Sequence, residues 1–209
     1  MKRAGRVTLA CGHLLHQHPW RDSSLMLELC TREHGRIRAF AHGARGPRSR
    51  FALLQPFRPL LLSWSGRGDA PTLSAAEPDG PPPPPIAPGR LMGAFYASEL
   101  VLRLTVAHDP QPELYDLYVA ALDSLRADLP LEQVLRHFEK RFLDLAGFGI
   151  DLESDAAGEA IEAAAYYHFE PGAGLVRDAE GPVSGAALQA LASGAAFAAP
   201  EHERQARRL

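Results

Sequence analysis

Apolar and polar residues alternate with a period of two over residues 6–78, a pattern typical of short β-strands with one buried face. In the first run, Val7, Leu9 and Cys11 alternate with Thr8 and Ala10. Four further runs of this kind follow at 25–29, 36–42, 59–65 and 71–76. Five short strands without a helical period predict a small closed barrel. The five-stranded OB-fold is the first candidate, and an SH3-like barrel fits the pattern nearly as well.

A proline-rich segment interrupts this pattern at 78–89, where the sequence reads PDGPPPPPIAPG. Proline at this density excludes a helix or a central strand and favours an extended polyproline II spacer. We interpret the segment as a linker at 80–89 that follows a first domain at 1–79. A ligand for an SH3 domain is the less favoured interpretation of the same prolines.

Beyond the linker, apolar residues recur with helical spacing. They predict helices at 91–106, 114–125 and 131–145, and Gly147 ends the third. Two further helices are predicted at 184–193 and 200–209, after an irregular insert at about 148–183. The predicted fold class is α+β and multidomain. An N-terminal five-stranded OB-fold β-barrel is followed by an all-α helical domain at 90–209.

Charge is distributed unevenly between these two parts. The whole chain has a formal net charge of -3 at pH 7. Residues 1–68, however, contain 12 basic and 3 acidic residues, a balance of +9, whereas the remainder has a balance of −12. Such asymmetry predicts an N-terminal part that binds a polyanion and an acidic second part.

The strand predicted at 36–42 concentrates positive charge on one face. Because side chains alternate along a strand, one face carries a basic and aromatic set, Arg36, Arg38, Phe40 and His42. Residues two apart on a strand are separated by ~6.6 Å, which is close to the phosphate spacing along a nucleic-acid strand. Phe40 could also stack on a base, an interaction worth ~1–3 kcal/mol in proteins that use it.

A glycine-framed loop, GARGPRSR at 43–50, follows this strand and offers further arginines to a nucleic-acid backbone. The predicted DNA-binding residues are therefore Arg36, Arg38, Phe40, His42, Arg45, Arg48 and Arg50. The alternative is a solvated barrel face on which Phe40 is structural, but it leaves the local charge balance unexplained.

Motifs for catalysis are missing from the sequence. It has no P-loop, no G-x-S-x-G and no H-E-x-x-H motif, so we predict a protein that is not an enzyme and uses no cofactor. The histidines of HLLHQH at 13–18 could join Cys11 and Cys30 as metal ligands, but the paired C-x-x-C spacing of zinc sites is missing. We interpret these histidines as exposed or phosphate-contacting. No run approaches ~18 apolar residues, so we expect a soluble cytoplasmic protein without a membrane-spanning helix.

Three segments carry a family pattern. They read PWRDSSLMLELCTREHGRIRAFAHGARGPRSRFALLQPF at 19–57, LLLSWSGRGDAPTLSAAEP at 60–78 and FYASELVLRLTVAHDPQPELYDLYVAALDSL at 95–125. The pattern comprises an aromatic after proline, an acid and a serine, a T-x-x-x-G turn and a G-A-R-x-x-x-S loop. These are Pro19-Trp20, Asp22, Ser24, Thr31, Gly35, Gly43-Ala44-Arg45 and Ser49. In these features the sequence resembles the RecO family of bacterial recombination and repair mediators.

The resemblance implies an activity on DNA. Family members bind single- and double-stranded DNA and anneal complementary strands. With the partner RecR, they help load the RecA recombinase onto DNA coated by single-stranded-DNA-binding protein (SSB). We therefore expect a protein of the bacterial cytoplasm that is associated with the nucleoid.

The resemblance also implies that the helical domain binds the acidic C-terminal tail of SSB. An apolar pocket rimmed by cations would suit that peptide. The available cations are Arg103, Arg126, Arg136, Lys140 and Arg141.

The sequence departs from the family pattern in two places. Many relatives carry four cysteines as a zinc module, whereas the corresponding region at 150–178 has none, so we predict no zinc. Relatives usually continue into a basic C-terminal segment, whereas this sequence ends at Leu209, so we expect a C-terminally short member. Two alternatives to a DNA-binding mediator remain. One is an adaptor that recruits SSB and RecR with only weak DNA contact, and the other is an RNA-binding OB-fold module.

Overall fold

The computed structural model describes residues 5–46, 49–66 and 70–209. The chain divides into two compact units, Met1–Ala127 and Asp128–Leu209. No helix among the residues it describes is long and apolar enough to cross a membrane.

Five strands of the first unit form a closed β-barrel. The strands are β1 (Gly5–Trp20), β2 (Ser24–Thr31), β3 (Gly35–Ala41), β4 (Leu60–Gly66) and β5 (Thr72–Pro78). Around the barrel they follow the order β1-β2-β3-β5-β4, and antiparallel pairing of β1 with β4 closes it. This five-stranded barrel confirms the predicted OB-fold.

The barrel core is formed by apolar side chains that alternate along the strands. On β3, Ile37, Ala39 and Ala41 are buried in this core, whereas Arg38 on the opposite face is exposed. The alternation predicted for this strand is therefore confirmed. The largest core side chains on the other strands are Leu14, Leu27, Leu29, Leu60, Leu62, Trp64 and Leu73.

The first half of β1 departs from its predicted alternation. The pairing of β1 with β4 shifts between Val7 and Ala10, and Leu9 has a positive φ of 53°. As a result, Leu9 is exposed and Ala10 enters the core, which is the reverse of the predicted pattern. The prediction was wrong here because a β-bulge adds one residue to the strand and changes the face of all later residues.

The turn between β2 and β3 shows why threonine and glycine occur four residues apart. The hydroxyl of Thr31 donates a hydrogen bond of 2.8 Å to the carbonyl oxygen of Gly35, which closes the turn. Gly35 has a φ of +68°, and a Cβ at this position would collide with the backbone of Asp109. Only glycine satisfies both conditions without strain.

Two helices complete the first unit, α1 (Leu91–Leu104) and α2 (Pro112–Arg126). They pack against each other, and the hydroxyl groups of Ser98 and Tyr118 lie 2.8 Å apart in their buried contact. Residues 79–87, which include the predicted linker prolines, form no regular element before a short 3-10 turn at Pro88–Arg90.

The second unit combines three helices with a small sheet. Its helices are α3 (Leu131–Leu145), α4 (Gly185–Ser193) and α5 (Pro200–Ala206). Its antiparallel strands are β6 (Tyr166–Glu170), β7 (Gly174–Arg177) and β8 (Val183–Ser184). The five predicted helices are all present, but the interpretation of 148–183 as irregular missed this sheet. Strands of two to five residues are too short to produce a clear alternating pattern.

The two compact units divide the chain at a different place from the predicted domains. The division falls after Ala127, so α1 and α2 belong to the same unit as the barrel. The predicted boundary at 80–89 stays a prediction.

Candidate nucleic-acid interface

The outer surface of β1–β3 has one end covered by helices and one end open. At the covered end, His13 is buried, and its Nδ1 lies 3.0 Å from the hydroxyl of Tyr115 on α2. At the other end, the pairing places Met26 between His18 on β1 and Phe40 on β3. We call the exposed and partly exposed residues of this end the open face. Its members are His16, His18, Trp20, Met26, Arg38, Phe40 and His42.

A buried carboxylate lies under the basic residues of β3. Glu28 on β2 pairs directly with Arg38 on β3, and its side chain is almost completely buried. Its Oε1 accepts a hydrogen bond of 2.7 Å from the Nε of Arg38, and its Oε2 accepts one of 3.0 Å from Arg36. One acid therefore compensates part of the charge of two arginines, and the strand presents less positive charge than its sequence indicates.

The two arginines differ in how much of each side chain reaches the surface. The side chain of Arg36 is 17% exposed, and its Nε and Nη2 also donate to the carbonyl oxygen of Thr105, at 3.4 and 3.2 Å. The side chain of Arg38 is 51% exposed and, among the residues that the structure describes, bonds through Nε to Glu28 alone. The structure therefore makes Arg38 available to a ligand and commits Arg36 to the fold.

Three rings form a row along the open face. The ring centroids of Trp20 and Phe40 lie 5.3 Å apart, and those of Phe40 and His42 lie 6.4 Å apart in a stacked arrangement. Trp20 and His42 are exposed, and Phe40 is partly buried between them. Exposed aromatic faces beside arginines are the combination that proteins use to stack bases and hold a phosphate backbone.

The loop after β3 supplies two exposed arginines that the structure describes. The backbone N–H of Arg45 donates to the carbonyl oxygen of Ser23, which fixes the start of the loop beside the end of β1. The guanidinium group of Arg50 lies 5.0 Å above the ring of Phe51. Arg48, the third predicted arginine of the loop, lies outside the described residues.

The histidines of β1 do not share one environment. Burial and the nearby charge of Arg126 lower the pKa of His13 to about 4, so this ring is neutral at pH 7. Its prediction as an exposed or phosphate-contacting residue was wrong, because helix α2 covers it. His16 and His18 are exposed as predicted, with ring centroids 4.2 Å apart. In the described parts of the chain, no group of three or more metal-ligating side chains is arranged to hold a metal ion.

A cavity in the second unit combines apolar walls with cations. It has a volume of about 120 Å³, and its cations are Arg136, Lys140 and Arg207. Its apolar lining consists of Leu143, Ile150, Leu152, Leu191, Ala206 and Leu209. Of the five cations predicted for peptide binding, the structure brings Arg136 and Lys140 to this cavity. Arg141 does not line the cavity. It shares Asp144 with Lys140, at 3.4 Å and 3.1 Å respectively.

The other two predicted cations, Arg103 and Arg126, belong to the first unit. The Nε of Arg103 bonds to Glu99 at 2.8 Å, on the surface of α1. Arg126 lies at the end of α2, where it pairs with Asp123 and donates to the carbonyl oxygen of Phe57. These two residues have different surroundings and do not converge on one site.

Sequence reasoning missed the part of the open face that β1 provides. Trp20 was not predicted to bind DNA, and His16 and His18 were interpreted only as exposed or phosphate-contacting, although the spacing of two places all three on one face of a strand. That spacing, together with the exposed end of β1 next to β2, is the signal that could have identified them.

Comparison with known proteins identifies the family. A family model described as Recombination protein O N terminal matches residues 7–81, and one described as Recombination protein O C terminal matches residues 87–196. DNA repair protein RecO of Alkalilimnicola ehrlichii is 43% identical over 211 residues, which cover 98% of this chain and 83% of the relative. DNA repair protein RecO of Methylococcus capsulatus is 44% identical over 190 residues, covering 89% and 78%. The chain therefore belongs to the RecO family of DNA repair proteins.

Proposed function

We propose that this protein is a non-catalytic DNA-binding mediator that binds single- and double-stranded DNA through the open face and the adjoining loop. In this proposal it anneals complementary strands and, with RecR, helps load RecA onto SSB-coated DNA. The observation that carries the proposal is the row of Trp20, Phe40 and His42 beside the half-exposed Arg38.

The arrangement suits passive annealing. Arg38, Arg45 and Arg50 can neutralise phosphates, which reduces the repulsion between two strands and releases their counterions. Trp20 can hold a base by stacking without selecting its sequence, because every base offers an aromatic face. The sequence contains no nucleotide-binding motif, so the free energy for annealing would come from base pairing itself.

The cavity of the second unit is our proposed site for the acidic SSB tail. Its lining combines three cations, Arg136, Lys140 and Arg207, with six apolar residues and one acid, Glu139, which pairs with Arg136. An acidic peptide that ends in an aromatic residue needs both an apolar pocket and cations that pair with its carboxylates. Of the five cations predicted to bind the peptide, our proposed site therefore includes Arg136 and Lys140. It also includes Arg207, which was not predicted.

One observation favours the alternative of an adaptor with weak DNA contact. Glu28 compensates part of the charge of Arg36 and Arg38, so the open face is less basic than the sequence indicates. An adaptor would bind the SSB tail and RecR normally but would anneal DNA slowly.

Annealing of complementary labelled oligonucleotides tests the proposal, with and without SSB, over a series of salt concentrations. We expect acceleration that falls steeply with salt and that Arg38→Gln reduces. Arg208→Gln is the matched control, because Arg208 is an exposed arginine of the second unit. Annealing that is insensitive to salt and to Arg38→Gln contradicts the proposal. Preference for an RNA competitor over DNA of the same sequence would support the RNA-binding alternative instead.

A further inference from the structure

The first unit contains a second cavity that no predicted DNA-binding residue lines. It has a volume of about 280 Å³ and lies between the segment before β4, the proline-rich segment and the two helices. Its polar side chains include two arginines, Arg58 and Arg126. Its remaining walls are Gln55, Pro56, Phe57, Pro82, Pro83, Pro84, Pro85, Ile86 and Leu91.

Both arginines have hydrogen-bond donors that the protein does not satisfy. The Nε atoms of Arg58 and Arg126 are buried and have no hydrogen-bond partner. Among the described residues, Arg58 makes no hydrogen bond or ion pair at all. The side chain of Arg126 is only 8% exposed, although it pairs with Asp123 and donates to Phe57. Buried donors without acceptors are rare in proteins, and a bound water, ion or ligand is one explanation for them.

The chemistry of the walls restricts the ligand. Proline has no N–H donor, so the proline wall cannot help to bind a dianion. Two guanidinium groups, with the neutral amide of Gln55 as the other polar side chain of the wall, match a group with one negative charge shared by two oxygens, since each oxygen can accept from one arginine. The proline rings, Ile86 and Leu91 offer apolar contacts to the parts of the ligand on either side of that charge. A phosphodiester between two sugars has this chemistry.

The cavity also lies at the end of a path that begins on the open face. His16 and His18 of that face line a groove together with residues of α1. These are Phe95, Leu102 and the ion pair of Glu99 with Arg103. The ring of Phe95 packs edge-on against Phe57, with 4.8 Å between the centroids, and Phe57 lines the arginine cavity. Through this ring contact the groove and the arginine cavity are neighbours on the first unit.

We infer that Arg58 and Arg126 form a second DNA contact, which binds one phosphodiester group of a strand held on the open face. The inference rests on the proposed function, because DNA is the source of the phosphodiester. With this second contact, the protein would also bind the part of the strand that extends beyond the barrel and across α1.

The test follows the arginine side-chain N–H signals of the ¹⁵N-labelled full chain by NMR during titration with the dinucleotide dTpdT. We expect saturable shifts of the Arg58 and Arg126 Nε–H signals. The methylphosphonate analogue of dTpdT, whose linkage is uncharged, should leave both signals unchanged. Arg58→Gln should weaken the response of Arg126 about tenfold, as expected for the loss of one charge-assisted hydrogen bond. Arg208→Gln should have no effect.

Arg58→Gln is preferred to Arg126→Gln, because Arg126 also holds the Phe57 carbonyl and its loss could unfold this region. Equal shifts with dTpdT and its uncharged analogue would overturn the inference. So would a response to inorganic phosphate or to an acidic peptide with none to dTpdT.

Fluorescence of Trp20 separates this inference from the proposed function, in a Trp64→Phe background that leaves Trp20 as the only tryptophan. If oligothymidylate changes Trp20 fluorescence but not the two arginine signals, the second contact is wrong and the open face stands. If the arginine signals respond and Trp20 does not, the open face is wrong and the arginine cavity stands. If neither responds, both are wrong.

Discussion

Glu28 lies opposite Arg38 in the pairing of β2 with β3, and its carboxylate accepts a hydrogen bond of 2.7 Å from that arginine. The same carboxylate binds Arg36 at 3.0 Å. A single buried acid thus orients two arginines and limits the positive charge of the open face. This relationship depends on strand pairing, so the local sequence around either arginine does not reveal it.

Replacement of this acid should lower the stability of the protein but raise its affinity for DNA. Glu28→Gln removes one negative charge next to Arg36 and Arg38 while keeping the shape of the side chain. We expect the free energy of unfolding to fall by about 2 kcal/mol, because the single amide oxygen can accept from only one of the two arginines, and without the charge-assistance of a carboxylate. DNA affinity of the folded variant should rise a few-fold at low salt, because the net charge of the face increases. Urea unfolding and fluorescence anisotropy measure the two effects. Weaker DNA binding by the folded variant would contradict this electrostatic account.

Substitution of Arg36 should mainly reduce stability, whereas substitution of Arg38 should mainly reduce DNA affinity. Arg38→Gln should weaken single-stranded DNA binding about tenfold and lower the salt dependence by roughly one phosphate contact. Its loss of stability should be smaller than that of Arg36→Gln, because Arg38 bonds to Glu28, whereas Arg36 also bonds to the Thr105 carbonyl. Arg36→Gln should lower the free energy of unfolding by about 1–3 kcal/mol, because Glu28 and the Thr105 carbonyl lose a donor in a buried site. Binding isotherms and urea unfolding of both variants check this difference. Equal effects of the two substitutions on DNA binding would show that the burial of Arg36 does not remove it from the interface.

Trp20 should contribute to binding by stacking. Trp20→Ala should weaken binding of single-stranded DNA by about 1–3 kcal/mol, and the loss should persist at high salt because stacking does not depend on ion release. Phe148→Ala is the matched control, since Phe148 is an exposed aromatic residue of the second unit. Anisotropy titrations at low and high salt measure both variants. An equal loss in the two variants would refute a specific role for Trp20.

His13 should make the first unit sensitive to acid. Its pKa is lowered to about 4 from an ordinary value of 6.5, so the unfolded chain binds more protons than the folded chain between these two values. The contribution of His13 to the free energy of unfolding is therefore greatest above pH 6.5. It decreases as the pH falls toward 4 and changes no further below pH 4. The total effect is roughly 3 kcal/mol. Urea unfolding at several pH values should show a flatter profile for His13→Gln. His16→Gln, at an exposed position, should keep the wild-type profile; a wild-type profile for His13→Gln would contradict the burial effect.

Two neighbouring cations of α3 should contribute differently to peptide binding in the cavity of the second unit. Lys140→Gln should weaken binding of an acidic peptide with a terminal phenylalanine about tenfold, because Lys140 lines the cavity. Arg141→Gln should have a small effect, because Arg141 does not line the cavity, although both cations pair with Asp144. Calorimetric titration with the peptide measures both. Stronger impairment by Arg141→Gln would place the peptide elsewhere.

Sequence patterns predicted most strands and helices, because the spacing of buried side chains within one element depends on the local backbone conformation. The alternation of Ile37, Ala39 and Ala41 fixed the inner face of β3, and helical spacing located α1, α2 and α3. The same rules failed at Leu9, where a bulge reverses the alternation, and in the short strands of the second unit.

The candidate site was less predictable because it depends on partners distant in sequence. The pattern placed Arg36 and Arg38 on one outer face, but the carbonyl of Thr105 that removes Arg36 from the surface lies 69 residues away. Likewise, Trp20 joins Phe40 only through the register of three strands. The sequence did not indicate a role for Arg58, because it is a single arginine that belongs to no motif. The residues that surround it belong to the proline-rich segment and α2.

The salt dependence of DNA binding tests the central claim most directly. Anisotropy of a labelled single-stranded oligonucleotide, titrated with protein at several salt concentrations, gives the slope of log affinity against log salt. If Arg38, Arg45 and Arg50 contact phosphates, we predict a slope of about −2 or steeper, and a slope less steep by about 2 when all three are changed to glutamine. A steep slope that survives the triple substitution, or a flat slope in the unmodified protein, would contradict a DNA interface on the open face.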